Sequence, residues 1–370
     1  MKQALIVLAT TVIGGAEKRF AELWLHMQKK GLSTIKLVLP QVTYEKLIEI
    51  EQLSSIADYR ENIVLYSWSG GSYLQQREVL IELIEDYDSD TIFHFILGYP
   101  IFINLLNRYN IVYTYTSTSF QQLNFKGKVG VFSAFFEANR VDILDPRITK
   151  RLKNILFWKK NRISNTPGSF VDREYYHSVA IEKKRNYLVF LGRLEAVKQV
   201  VEFIKAIPTI NQKLVDAGIK DQEFFLLGTG TLEKTILEYI SHNPSYKDIK
   251  IHIYFEKKPV EILKYSKIFF SLQKYSNYPS KSLLEAISCG NIPIVTDNGD
   301  TRLIAPESFS YYVEEEFSAE LLAEKCVEIL KMDNGMLQSK MHQAQDFIDS
   351  NFSVDKNIEY FSSLYFGGER

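Results

Sequence analysis

The most informative stretch of this chain runs from Tyr275 to Val295 and reads YSNYPSKSLLEAISCGNIPIV. It begins as a polar loop with Pro279, continues with apolar residues at helical spacing, stops at Gly290 and restarts as an apolar strand at Ile292. A helix that follows such a loop presents unpaired N–H groups and the positive end of its dipole, which suits an anion such as a nucleotide diphosphate. The stretch therefore predicts an anion-binding helix beside a buried strand.

Length and composition bound the remaining possibilities. A chain of 370 residues is too long for one ordinary core and predicts two domains of roughly 150 to 200 residues each. Its hydrophobic fraction of 46% and charged fraction of 24% are those of soluble globular proteins. The formal net charge of -1 argues against nucleic acid as the main partner. The two cysteines, Cys289 and Cys326, lie far apart, so neither a disulfide framework nor a zinc site is expected.

The sequence predicts a cytoplasmic protein. No run of about 18 apolar residues occurs, so a membrane-spanning helix is not expected. The N-terminal apolar run from Ala4 to Ile13 resembles a short signal peptide. It leads through Gly14 and Gly15 directly into a helical pattern rather than to a cleavage site, which favours a first buried strand.

The first half of the chain reads as strand, glycine turn, helix and strand. The run Leu5 to Ala9 has the length of a buried strand, Ala16 to Lys30 has helical spacing, and Ile35 to Leu39 is the next strand. Between the first strand and the helix, Gly14 and Gly15 would let a ligand approach backbone amides closely. A tight turn without a ligand is the alternative.

Further apolar runs alternate with helical patterns and predict a doubly wound parallel sheet. His94 lies in one strand between apolar residues, and a hydrogen-bonded core histidine is the simpler interpretation than a catalytic group. The segment Thr114 to Ser119 is a hydroxyl-rich strand end, and sheets of this type bind their ligands at such ends. An ordinary loop is the alternative. The predicted strands are Ile63 to Tyr66, Thr91 to Leu97, Ile111 to Thr116 and Val129 to Phe132, with helices Leu74 to Tyr87 and Pro100 to Tyr109.

Two strand-to-glycine turns open the second half, after a polar and basic linker at Lys159 to Arg185. The strand Tyr187 to Leu191 runs into Gly192 and Arg193, with Lys198 close behind. Arginine binds two phosphate oxygens at once and lysine adds a mobile point charge, so this turn suits a diphosphate, although a solvated surface pair is the alternative. The strand Glu223 to Leu227 ends in a similar turn, at Gly228 and Gly230.

The order and spacing of three motifs resemble the retaining GT-B glycosyltransferases of family four. The motifs are GRLEAVK (Gly192 to Lys198), LGTGTLEK (Leu227 to Lys234) and the opening stretch, and IGGAEKRF (Ile13 to Phe20) resembles that family's acceptor-side glycine turn. The resemblance implies two Rossmann-like domains facing a central cleft. Residues 1–165 with 350–370 would form the acceptor-side domain, because the helical tail from Met336 to Tyr365 would return to it, and residues 166–349 would bind the nucleotide-sugar donor.

The resemblance also implies roles for individual residues. Arg193 and Lys198 would hold the donor diphosphate and stabilise the charge that develops as the nucleotide leaves. Glu285 would bind the ribose hydroxyls. Backbone amides near Ser282 and Leu283 would touch the phosphates, and Gly15 would approach them from the other domain. The remaining donor-binding positions are Gly192, Gly228, Gly230, Asn277 and Ser280. No metal ion and no other cofactor is implied, and the co-substrate would be a UDP- or GDP-sugar.

Two positions depart from the family pattern. Asn277 stands where a glutamate is usual, which removes a charge and puts the identity of the sugar in doubt. Thr116 stands where the family often has a histidine that contacts the sugar, and His94 is a candidate to compensate. Glu285 also has a structural alternative, because Ser282 and Glu285 have the spacing of a helix capping box.

The resemblance leaves the acceptor and the activity open. A glycan or a lipid-linked acceptor is expected, with contact to the inner face of a membrane, and Lys18 is a candidate acceptor contact. An anionic lipid-linked acceptor would be attracted by basic residues of the first domain, which otherwise form a solvated surface: Lys18, Arg19, Lys126, Lys128 and Arg140. The alternative function is a noncatalytic GT-B subunit that binds a partner enzyme or a nucleotide. A sugar-nucleotide epimerase on the same fold fits the motifs less well.

Overall fold

A computed structural model describes residues 2–96, 109–116, 132 and 134–367. Its contacts divide the chain into two compact units. The first contains Met1–Ser169 and Val354–Arg370, and the second contains Phe170–Ser353. Each unit is built on its own parallel sheet, so the predicted doubly wound parallel α/β fold is confirmed.

The first unit contains a seven-stranded sheet in the order β3-β2-β1-β4-β5-β6-β7. All its neighbouring strands are parallel, which requires a crossover between each pair. The central strand β1 is buried at every position, as expected for a sheet with helices on both faces. The strands are β1 (Ala4–Leu8), β2 (Ile35–Pro40), β3 (Ile63–Tyr66), β4 (Ile92–Ile96), β5 (Asn110–Tyr115), β6 (Arg140–Ile143) and β7 (Ile163–Asn165).

Several helices of the first unit start at recognisable caps. The first follows Gly14, whose backbone N–H donates to the Glu17 carboxylate at 2.8 Å. The fourth is capped by Asp145, whose side chain accepts from the N–H groups of Arg147 and Ile148. These helices are α1 (Gly15–Lys29), α2 (Gln41–Ile48), α3 (Tyr73–Glu85) and α4 (Pro146–Ile155), with 3-10 segments at Glu51–Asn62 and Phe157–Arg162.

The second unit contains a six-stranded parallel sheet in the order β10-β9-β8-β11-β12-β13. Its strands are β8 (Tyr187–Leu191), β9 (Glu223–Leu227), β10 (Ile251–Tyr254), β11 (Ile268–Ser271), β12 (Ile292–Thr296) and β13 (Tyr311–Val313). Its helices are α5 (Val200–Asp216), α6 (Glu233–Ser241), α7 (Val260–Leu263), α8 (Lys281–Ser288), α9 (Ala319–Leu330) and α10 (Asn334–Asn351).

The last helix, α11 (Val354–Phe366), belongs to the first unit. Its residue Phe361 is fully buried and packs edge-on against Phe20 of α1, with the ring centroids 5.4 Å apart. The same ring stacks on His94 of β4 at 5.5 Å. The predicted single helix from Met336 to Tyr365 is therefore two helices, α10 and α11, because the chain leaves helical geometry at Phe352.

Several predicted elements differ from the structure. Of the predicted strand Val129 to Phe132 the structure describes Phe132 alone, which is helical, and the predicted helix Pro100 to Tyr109 lies outside the described residues except for Tyr109. The predicted linker Lys159 to Arg185 contains the edge strand β7. In the described part of the chain, no helix is long and apolar enough to cross a membrane.

Candidate functional site

The candidate site lies at the carboxyl edge of the second sheet. Parallel strands end at one edge, so the turns that follow β8, β9, β11 and β12 come together there, where α/β sheets bind their ligands. Three loops carry most of the predicted donor residues, and helix α8 carries Ser282, Leu283 and Glu285. The loops are residues 192–198 after β8, residues 228–230 after β9, and residues 272–280 between β11 and α8.

The glycines of the first two turns allow backbone to pack on backbone. A Cβ on Gly228 would lie 2.0 Å from the carbonyl oxygen of Gly192, and one on Gly230 would lie 2.4 Å from that of Leu194. The Leu194 N–H donates to the carbonyl of Thr229 at 2.9 Å, which joins the two turns. A Cβ on Gly192 would meet nothing within 4 Å. Gly228 and Gly230 thus shape the turns, and Gly192 leaves open space beside them.

Lys198 lies half-buried in the first turn. Its ammonium donates to the side-chain oxygen of Gln273 at 2.5 Å. Burial lowers its pKa to about 8, and the neighbouring charge of Arg193 contributes in the same direction. A cation held in a partly dehydrated position interacts more strongly with a ligand anion than one in bulk water does.

Arg193 is the exposed partner in the same turn. Its side chain is 72% exposed and pairs with the Glu195 carboxylate at 3.0 Å. An exposed ion pair of this kind contributes little to stability. The guanidinium can therefore exchange Glu195 for a phosphate at small cost, since a bidentate contact to phosphate replaces a single contact to carboxylate.

Helix α8 is capped by Ser280, which overturns the capping-box alternative for Glu285. The Ser280 hydroxyl accepts from the Leu283 N–H at 3.4 Å, so Ser280 is the N-cap and Leu283 occupies the third helical position. The proposed capping box of Ser282 and Glu285 is therefore wrong. Ser280 takes the cap because its backbone is extended after the loop, whereas Ser282 is already helical. Glu285 is buried within the helix and lies beyond the first turn.

Asn277 is the centre of a closed hydrogen-bond network. The residue is 1% exposed, and its side-chain oxygen accepts from the Ser271 hydroxyl at 2.7 Å. Its side-chain N–H groups donate to the carbonyl and hydroxyl of Thr296 at 3.0 Å and to the hydroxyl of Thr301 at 3.2 Å. A sugar hydroxyl would have to displace one of these partners. The structure thus assigns Asn277 a role in holding the loop, and its contact with a sugar stays a prediction.

Replacing Asn277 by alanine should lower the free energy of unfolding by about 2 to 4 kcal/mol, because it leaves several buried polar groups without partners. Chemical denaturation of the full chain measures the change. The matched control is Asn154→Ala on an exposed helical surface, expected to change stability by less than about 0.5 kcal/mol. Equal stabilities for the two variants would contradict the structural role of Asn277.

The structure adds positioning residues that the sequence did not mark. Glu315 accepts from the Tyr275 N–H at 3.3 Å through its carboxylate, and its carbonyl accepts from the Gln199 side chain at 2.8 Å. Asn298 donates to the carbonyl of Gln273 at 2.7 Å. Tyr275 has a φ of +76° and a ring that is 58% exposed. These contacts join residues far apart in sequence, so no local motif could identify them.

His94 lies in the core of the first unit. It is fully buried, and its Nδ1 and Nε2 atoms lie 2.5 Å from the Tyr365 hydroxyl and 2.6 Å from the Thr114 hydroxyl. Burial lowers its pKa to about 3, and the charge of Arg19 acts in the same direction, so the ring is neutral. Both ring nitrogens already have protein partners, so a sugar contact by His94 would require the loss of one of them.

The other first-unit candidates differ in accessibility. Gly15 and Lys18 are exposed at the start of α1, a Cβ on Gly15 would meet nothing within 4 Å, and Thr116 is half-buried after β5. Arg19, in contrast, is buried and donates to the Gly168 carbonyl at 2.6 Å, which corrects its assignment to a basic surface. Arg140 binds carbonyls at the end of α11, and Lys126 and Lys128 lie outside the described residues.

The second unit matches a known family at the sequence level. Residues 172–346 match the family model described as glycosyl transferases group 1, a segment that contains every predicted donor residue except Gly15. No curated protein matches the chain.

Solved structures match the whole chain. A glycosyltransferase from Rickettsia africae aligns with a TM-score of 0.73 at 14% identity and covers 98% of each chain. HepE from Anabaena, solved with UDP-glucose, aligns with a TM-score of 0.76 at 12% identity over 100% of both chains. A TarM variant from S. aureus has a TM-score of 0.68 at 11% identity over 99% of this chain and 100% of that one. These likenesses give the chain the GT-B fold.

Proposed function

We propose that this chain is a nucleotide-sugar-dependent glycosyltransferase that passes a sugar to a glycan or lipid-linked acceptor. One observation carries the proposal. The turn with Arg193 and Lys198 and the loop that leads into α8 lie at one sheet edge, joined by the contact of Lys198 with Gln273, inside the segment that matches glycosyl transferases group 1. The similar structures support the ligand class, since HepE is solved with UDP-glucose and the TarM variant with UDP and α-GlcNAc-glycerol.

The proposed mechanism assigns each residue a charge-based role. Arg193 and Lys198 stabilise the negative charge that grows on the diphosphate as the sugar leaves, and the N–H groups of the first turn of α8 add to this stabilisation. Glu285 accepts hydrogen bonds from the ribose hydroxyls. The acceptor attacks the face that the diphosphate leaves, a phosphate oxygen takes its proton, and the anomeric configuration is retained. Analysis of the product's anomeric configuration by NMR tests retention.

The proposed role is the synthesis of a bacterial surface polysaccharide or another glycoconjugate. The transferred group would be a hexose from a UDP- or GDP-sugar. The reaction would take place in the cytoplasm or at the inner face of the membrane.

A panel of UDP-, GDP- and ADP-sugars in a thermal-shift assay tests the proposal. A ligand that binds only the folded protein raises the melting temperature, by an amount that grows with concentration over Kd. We expect the sugars of one nucleotide to raise the melting temperature clearly more than those of the other two. No shift with any nucleotide sugar at millimolar concentration would overturn the enzyme proposal.

Chelation should leave donor binding unchanged, because Arg193, Lys198 and the helix end supply the positive charge that a metal ion supplies elsewhere. The measurement is the thermal shift by the best donor with EDTA and with added Mg²⁺ or Mn²⁺. A shift that disappears in EDTA and returns with either metal would contradict metal independence.

Donor affinity should fall as the pH rises through about 8. Lys198 is a cation below its lowered pKa and neutral above it, so the diphosphate loses one cationic partner in alkaline solution. Titration calorimetry between pH 6.5 and 9.5 should show a constant Kd at low pH and a rising Kd at high pH. The rise should extend to higher pH than the pKa of the free protein, because the bound anion stabilises the charged lysine. Lys198→Arg, which stays charged, should flatten the profile. An equally steep rise in that variant would assign the titration to another group.

A noncatalytic GT-B subunit is the second candidate. The supporting observation is that Thr116 and the enclosed Asn277 occupy positions where the family pattern has a histidine and a glutamate. Both candidates allow nucleotide binding, so a second measurement separates them. Release of free nucleotide from the best donor with a mixed glycan acceptor preparation favours the enzyme, and binding without any turnover favours the subunit.

A further inference from the structure

The connection between β6 and the edge strand β7 carries an unusual concentration of positive charge. Residues 146–162 read PRITKRLKNILFWKKNR and contain no aspartate or glutamate. The whole chain has a formal net charge of -1, so this concentration is local. The segment contains seven cations, namely Arg147, Lys150, Arg151, Lys153, Lys159, Lys160 and Arg162.

Folding leaves most of these cations at the surface. Helix α4 buries Thr149 and Leu152, and Leu156 follows in the core. Arg147 pairs with the buried Asp145 carboxylate at 2.8 Å. Lys159 is half-buried. The remaining cations are exposed, because they lie on the side of the helix and of the 3-10 segment that faces away from the sheet. They are Lys150, Arg151, Lys153, Lys160 and Arg162.

Large apolar side chains are exposed in the same place. Phe157 is 68% exposed, Trp158 is 58% exposed, and their rings meet edge-on at 5.1 Å. Phe136 is 55% exposed and lies under the Lys159 ammonium, which is 4.9 Å from its ring centroid. Ile155, at the end of α4, is 46% exposed. Neighbouring exposed apolar groups on a soluble unit indicate an interaction surface.

We infer that this basic aromatic surface, residues 146–162 with Phe136, docks the protein on an anionic lipid bilayer. Aromatic rings and an aliphatic side chain insert at the level of the headgroups, while surrounding lysines and arginines contact anionic lipid phosphates. The two features are needed together, since charge concentrates the protein at the membrane and apolar insertion holds it there. The inference does not depend on the proposed chemistry.

A lipid surface fits better than the other polyanions. The phosphates of a nucleic acid would bind the cations, and a base could stack on one aromatic ring. A nucleic acid provides no apolar environment that would bury Ile155 or two adjacent bulky rings. An acidic protein would be expected to supply an apolar groove of matching shape. A bilayer accepts the cluster without a matched shape, because its interface is fluid.

Vesicle flotation of the full chain tests the inference. Vesicles of phosphatidylcholine with phosphatidylglycerol are compared with phosphatidylcholine alone. We expect binding to the anionic vesicles that weakens as salt rises, and a loss of about tenfold or more in both Phe157→Ser/Trp158→Ser and Lys153→Gln/Lys160→Gln. The four side chains are exposed, so the variants should keep the melting temperature of the parent.

Matched variants elsewhere make the test specific. Phe255→Ser removes an aromatic ring that is 59% exposed in the second unit, and Lys234→Gln removes a lysine whose side chain is 88% exposed. Both should bind vesicles like the parent. Failure of the parent to bind anionic vesicles, or equal losses in the controls, would overturn the inference. A third result would also overturn it: the parent binds heparin tightly, and Phe157→Ser/Trp158→Ser still floats with anionic vesicles as the parent does. The surface would then be a general polyanion site.

Discussion

Replacing Lys198 by alanine should lower the rate of sugar transfer by about 10²- to 10³-fold, which is the usual cost of removing one charge-stabilising group from a transition state. The side chain is half-buried beside Gln273 and Arg193, where its charge is poorly screened by water. The charge on the leaving diphosphate is larger in the transition state than in the bound donor. The loss should therefore appear in kcat as well as in kcat/KM.

The measurement is the initial rate of nucleotide release with the best donor and acceptor, with the melting temperature recorded alongside. The matched control is Lys234→Ala, which removes an exposed lysine from the same unit and should keep full activity. Arg193→Ala should act like Lys198→Ala, since its surface pair with Glu195 contributes little to folding. Full activity in both Lys198→Ala and Arg193→Ala would show that these cations do not stabilise the transition state. Unfolding of either variant would indicate a structural role for that residue.

Replacing Gly228 by alanine should lower the free energy of unfolding by about 3 kcal/mol and weaken donor binding with it. Its φ is +152°, and the new Cβ would lie 2.0 Å from the carbonyl oxygen of Gly192. Because the obstacle is backbone, relief requires the turns after β8 and β9 to separate. That separation would displace Arg193 and Lys198 from the sheet edge.

Chemical denaturation and donor titration measure the two effects of Gly228→Ala. Gly15→Ala is the matched control for stability alone, since its Cβ would meet nothing within 4 Å and alanine suits a helical position. It should therefore change stability by no more than about 1 kcal/mol. If Gly228→Ala were as stable as the parent and bound donor normally, the close packing of the two turns would not be needed for the site.

Local pattern accounts for the elements that could be predicted. The strands β3, β8 and β9 are largely apolar runs bounded by polar residues or glycine, and their predicted bounds agree with the structure. The edge strands β7 and β13 were missed because each has three residues, too few for a pattern to appear. In such strands, pairing with a neighbour rather than local preference determines the structure.

In the site, too, features set by local sequence could be predicted, and features set by strand pairing could not. The glycine turns follow apolar strands directly, so the sequence alone located them. The contacts of Gln273 and Glu315 form only when the strands pair, and no local signal precedes them. The cap of α8 could not be chosen from the sequence, because Ser280 and Ser282 are both good caps and only the extended backbone at Ser280 decides between them.

We propose that the carboxyl edge of the six-stranded sheet binds the diphosphate of a nucleotide sugar. The decisive experiment is titration calorimetry of the best donor into the parent protein and into Lys198→Ala at pH 7. We expect saturable binding to the parent and a Kd about tenfold or more higher in the variant, with unchanged melting temperatures. Equal affinities in two equally stable proteins would place the diphosphate elsewhere and contradict the claim.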